Sequence, residues 1–111
     1  MSPLERTVLT AMLNAKGDGF AALQAQLARA TVVSRTHSGV GFVTRIDVPD
    51  EVAAVPEAAI PRLCAVFADH PQLTERAEFL LQLRAGRLAV LEAYCVEGGW
   101  PADEAEFQVV G

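Results

Sequence analysis

The chain is predicted to be an α+β domain, two N-terminal helices packed on an antiparallel sheet of about four to five strands. Three observations predict this. Apolar residues recur at helical spacing as far as Ala30, the period switches to strict alternation after Thr31, and the segment Phe79–Tyr94 reads as a hairpin closed around Ala85-Gly86. With 111 residues, 51% of them hydrophobic and 21% charged, residues 1–111 are read as one domain able to bury its own core.

The first helix is expected from Pro3 to about Ala15. Ser2 suits the N-cap, Pro3 the first helical position, and Glu5 the third, where it completes a capping box. Leu4, Val8, Met12 and Ala15 form the apolar stripe, widened by Leu9 and Leu13, and Lys16-Gly17 supplies the stop. Asp18 can cap a second helix whose apolar face is Phe20, Leu23, Leu27 and Ala30, with Gln24, Gln26 and Arg29 facing elsewhere.

Thr31–Thr36 is β-branched and reads as a strand, followed by a turn at His37-Ser38-Gly39. Val40, Phe42, Thr44, Ile46 and Val48 then alternate with polar or small residues until Pro49, the pattern of a half-buried strand. The proline-rich stretch to Pro61 connects to a third strand, Arg62–Ala68. In the final hairpin a two-residue loop sets Leu83 opposite Leu88, Leu81 opposite Val90 and Phe79 opposite Glu92. Ala85 is poorly suited to positive φ, so a longer loop with a bulge at Gly86 is the alternative. Gly98-Gly99-Trp100-Pro101 breaks the strand, and Phe107–Val110 can add a short edge.

The net charge of −5, and a tail after Arg87 with acidic but no basic residues, argue against nucleic acid as a partner. No apolar run approaches the ~20 residues that span a bilayer, and the start has no signal-peptide core, so no membrane association and a cytoplasmic location are expected. Cys64 and Cys95 lie in no CxxC pair and have no neighbours at metal-ligand spacing, which predicts reduced thiols, no metal and no cofactor.

The polar residues with most chemistry are Arg35 and His37, followed by the Gly39-Val40-Gly41 turn, and Glu92, which the two-residue register places on the apolar face between Val90 and Tyr94. A carboxylate there needs a partner, for which Arg35 is the first choice. Arg35, His37, Glu92 and Tyr94 are therefore expected to form either a ligand site or a buried polar cluster. No catalytic set is assigned, because no third group orients a Cys–His or Glu–His pair. The glycines are equally explained by the turn and by close strand packing. Trp100 is expected to be a lid on the core edge or an exposed anchor for a partner.

The runs Arg35-x-His37-Ser38-Gly39-Val40-Gly41-Phe42, Gly86-Arg87-Leu88 leading into Leu91-Glu92-x-Tyr94, and Trp100-Pro101 together resemble a small family of uncharacterised bacterial α+β proteins. The resemblance covers roughly Val32 to Pro101, with the two helices looser. It implies a compact α+β fold and no particular activity, and suggests that Arg35, Gly41, Glu92 and Trp100 serve one shared feature.

Three readings of function follow, in this order. The first is a non-catalytic protein-interaction module, self-associating or immunity-like, working through a sheet edge or the Trp100 region. The second is a small-ligand binder with a pocket near Arg35, His37 and Glu92. The third is an enzyme using Glu92 or His37.

Overall fold

The computed structural model describes residues 1–14, 18–55 and 63–110, and for 18–20, 63 and 64 the backbone alone. The first helix, α1 (Pro3–Leu13), starts as its capping box dictates. Ser2 is extended, its hydroxyl accepts from the Glu5 amide at 3.2 Å, and the Glu5 carboxylate accepts from the Ser2 amide at 2.7 Å. Asn14 is the C-cap, so the helix ends short of the expected Ala15, which lies outside the described residues. Leu4, Val8, Leu9, Met12 and Leu13 are buried, as their spacing requires.

The second helix, α2 (Asp18–Arg29), buries Leu23 and Leu27. Gln26, expected to face away, is instead 0% exposed. Its amide nitrogen donates to the carbonyls of Ala53 and Gly86, and its oxygen accepts from the Leu88 amide. A polar side chain is tolerated there because every bond it can readily make is made, and it clasps the distal hairpin to the segment before residue 56.

Among the described residues six strands follow: β1 (Thr31–His37), β2 (Gly41–Asp47), β3 (Leu63–Asp69), β4 (Ala77–Arg84), β5 (Arg87–Tyr94) and β6 (Gln108–Val110). They form one sheet in the order β1-β2-β5-β4-β3-β6, every neighbouring pair antiparallel. The sixth strand, beyond the expected four to five, is the Phe107–Val110 segment paired on β3. Along β2, Phe42, Thr44 and Ile46 are buried while Val43, Arg45 and Asp47 are exposed. The helices lie over the first set, since Thr44 bonds to Glu5 of α1, and among the described residues no element covers the other face, hereafter the open face.

The hairpin between β4 and β5 does close on Ala85-Gly86, with φ of 52° and 73°, the signature of a primed two-residue turn. Leu83 faces Leu88 as expected. The register then breaks. Gln82 pairs with Val90, so Ala89 is an extra residue, and from there on Leu81 faces Leu91 and Phe79 faces Ala93. One inserted residue sends every later side chain of β5 to the other face. Leu91 and Ala93 are thus buried, and Glu92 and Tyr94 belong to the open face.

One end of the core is closed by aromatic rings. Trp100 packs edge-on against Phe42 and Phe79, with centroids at 5.5 and 5.9 Å, and stacks on Phe107 at 4.9 Å. Its amide donates to the Gly39 carbonyl at 2.8 Å. Trp100 is therefore built into the lid at the core edge.

Candidate functional site

Arg35 lies on the helix-facing side of β1, opposite Thr44. Its guanidinium rests on the Phe42 ring at 4.0 Å from the centroid and donates through Nη2 to both oxygens of Glu104, at 3.0 and 2.8 Å. On its inner side Nε stands 3.6 Å from the Glu5 carboxylate, too far for a hydrogen bond, and is buried with no hydrogen-bond partner among the described residues. Glu104, on the 3-10 turn Glu104–Glu106, also accepts from the Trp100 indole at 2.8 Å. Glu5, 2% exposed, accepts from the Thr44 hydroxyl as well as from Ser2. Burial alone would push the Glu5 carboxyl up, but the hydrogen bonds from Thr44 and Ser2 and the Arg35 charge together hold it below the usual carboxylate range.

This chain of polar contacts runs from the first turn of α1 through the sheet to the C-terminal segment. Glu5, Thr44 and Glu104 were not singled out as site residues from the sequence. Thr44 carried a signal, being the one polar residue in the buried alternation Phe42, Thr44, Ile46. Glu5 was identified only as a cap, and nothing in the tail distinguished Glu104 from its acidic neighbours.

The expected pairing of Arg35 with Glu92 does not occur. Glu92 sits across the sheet on the open face, opposite Val43 and Leu80, and makes no side-chain hydrogen bond or ion pair among the described residues. The Ala89 bulge is the cause. Tyr94 shares that face and donates to Glu78 at 2.5 Å. That bond first, then desolvation and the charges of Glu78 and Glu92, raise the Tyr94 pKa. Arg35 and His37 thus stand on one side of the sheet, Glu92 and Tyr94 on the other.

His37 is exposed beside Phe42, ring centroids 6.2 Å apart, at the mouth of a recess of ≈ 350 Å³ lined by Arg35, Gly41, Trp100, Pro101 and Glu104 among others. Among the described residues no acid, hydroxyl or thiol is hydrogen-bonded to it. The recess offers a guanidinium already occupied by a carboxylate, which is poorly suited to gripping an anionic ligand. The glycines beside it have structural duties. Gly39 has φ +83°, and a Cβ on Gly41 would collide with the Ala93 carbonyl. Cys95 is buried, its thiol directed at the Val40 carbonyl at 3.3 Å; the Cys64 side chain lies outside the described residues.

The open face is different in character. It carries Val43 (37% exposed), with Glu92 between it and half-buried Leu80, half-buried Val90 level with Arg45, and Phe67 (43%) beside Glu78. One end holds Arg45, Arg84 and Arg87 around a recess of ≈ 400 Å³ with Asp47 and Asp50. The other end holds Glu75, Glu78 and Val96, with Arg76 engaged by Asp69 at 3.0 Å. Among the described residues no helix is long and apolar enough to cross a membrane, and no cluster of three or more His, Cys, Asp or Glu could hold a metal ion.

Comparison with known proteins returned no matching family model, no matching curated protein and no matching solved structure.

Proposed function

We propose that this protein is a non-catalytic interaction module that docks a protein partner on the open face of its sheet. The observation that carries the reading is the apolar content of that face. A solvated sheet face ordinarily alternates to polar side chains, whereas this one also carries Val43, Phe67, Leu80 and Val90, set among Arg45, Glu78, Gln82 and Glu92. Apolar side chains left on an open face among charged ones have the composition of a binding surface. The small-ligand alternative needs Arg35, His37 and Glu92 in one pocket, and the sheet separates them. The net charge of −5 favours a protein over a nucleic acid as partner, and the resemblance to uncharacterised bacterial proteins suggests a bacterial setting.

The test is photocrosslinking in cells with p-benzoylphenylalanine replacing Phe67, His37 or, as a control on the exposed side of α1, Thr7. The expected result is a discrete polypeptide adduct from position 67 and none from position 7. Adducts at position 37 alone, or equal labelling at all three positions, would overturn the reading.

A further inference from the structure

The two ends of the open face carry opposite charge along a single strand. On β4 the residues directed outward are Glu78, Leu80, Gln82 and Arg84, the last beside Arg87 across the turn. Glu78 and Arg84 are six residues apart, about 20 Å in an extended strand. On the neighbouring strands Glu92 lies toward the acidic end, and Arg45, which pairs with Val90, toward the basic end. Arg45 and Arg84 make no side-chain hydrogen bond or ion pair among the described residues. Glu92 is equally unengaged among them, and Glu78 accepts only from Tyr94.

We infer that the partner is a second copy of this chain, packed face to face about a two-fold axis that runs across the strands, parallel to the sheet and just outside its open face, and passes over β4 near Leu81. The inference rests on the open-face reading of function. A two-fold axis across the strands lays β4 on its own copy in the opposite direction. Residues equidistant from the axis then meet: Glu78 of one copy faces Arg84 of the other, and the reverse pair forms by symmetry. By the same rule Glu92 meets Val90 of the other copy, with that copy's Arg45 one strand away, Val43 meets Arg45, and Leu80 meets Gln82 with Val90 one strand away. An axis parallel to the strands would instead set Arg84 against Arg84 and Glu78 against Glu78, which like-charge repulsion disfavours. A foreign partner has no reason to be matched by both ends of the face at this spacing, whereas a second copy is matched automatically.

The central four strands offer a footprint of about 19 by 20 Å from ordinary strand spacing and rise, well below the ~800 Å² per partner of a standard interface. The dimer is accordingly reversible and concentration-dependent, and its charged rim makes it weaken with salt.

Sedimentation velocity on the purified chain, over a concentration series at low and high salt, reads the dissociation constant. Arg84→Glu and Glu78→Arg should each raise it at least tenfold, with circular dichroism confirming that each variant is folded. The double variant Arg84→Glu/Glu78→Arg should dimerise like the wild type. Mixing the two single variants should also restore dimer, because each then supplies what the other lacks. A wild-type chain monomeric at every concentration, while position 67 still crosslinks another protein in cells, would overturn the self-pairing and leave the open-face reading standing. A dimer indifferent to both charge reversals but lost on Val33→Lys would place the contact at the β1 edge, where Val33 is 67% exposed, and overturn it equally. Absence of any adduct from position 67 would remove the open-face reading itself.

Discussion

Replacing Glu5 by Gln isolates the charge at the centre of the polar network without changing its shape. The wild-type carboxylate accepts from the Ser2 amide at 2.7 Å and from the Thr44 hydroxyl, and faces Arg35 Nε at 3.6 Å. In Glu5→Gln the amide oxygen can keep the Ser2 bond, and the amide nitrogen can donate to Thr44, whose hydroxyl rotates to accept. Two hydrogen bonds thus survive but lose charge assistance, worth about 1 kcal/mol each from the difference between charged and neutral bonds. The expected loss at pH 7 is about 2 kcal/mol, or a fall in Tm of roughly 8 °C for a chain of this size. Because the folded-state pKa of Glu5 is depressed, its contribution is present above the unfolded value of about 4.3 and is lost as pH falls through the lower folded value. Gln does not titrate, so the stability gap between wild type and variant should be full above the unfolded value, narrow as the pH falls below it, and close only once the lower folded value has been passed. Urea unfolding of both proteins across that range measures the gap directly, the other carboxylates cancelling in the difference. A gap that stays constant or widens on acidification would refute the argument. Glu92→Gln is the control in the monomer, since Glu92 has no partner among the described residues, and should change stability by no more than about 0.5 kcal/mol.

The remaining predictions concern the backbone and the buried thiol. Ala85→Asn should raise the urea midpoint by the equivalent of about 1 kcal/mol at unchanged slope, because Ala85 has φ 52° and Asn tolerates that region better; an unchanged or lower midpoint would contradict the turn assignment. Gly41→Ala should cost about 1–3 kcal/mol or more, since the added carbon meets the Ala93 main chain, which cannot swing aside. A urea midpoint equal to the wild type would show that β2 and β5 are not held as closely as described. In a Cys64→Ser background, Cys95 should react slowly with a thiol reagent in buffer and at once in urea, and prompt labelling of the folded chain would show that the thiol is not buried.

Local signals decided much of the fold. The Ser2-Pro3-Glu5 start, the apolar spacing of α1, the alternation of β2 and the Ala85-Gly86 turn were legible because each is set by neighbours within a few residues. Two locally reasonable assignments failed for the same physical reason. Gln26 was placed on the outside of its helix by its polarity, yet it is buried because Gly86 and Leu88, remote in the chain, offer it a complete set of partners. Glu92 was placed on the core face by counting twos from Leu88, and the extra residue Ala89 reversed the count. A bulge has no strong sequence signature, and strand periodicity has no tolerance for one inserted residue. The partnership of Arg35 was likewise settled only in three dimensions. Its need for a carboxylate could be read from its place in a strand, but the choice of Glu5 and Glu104 over Glu92 depends on which elements share a face, and that is fixed by strand order and register rather than by any stretch of the chain.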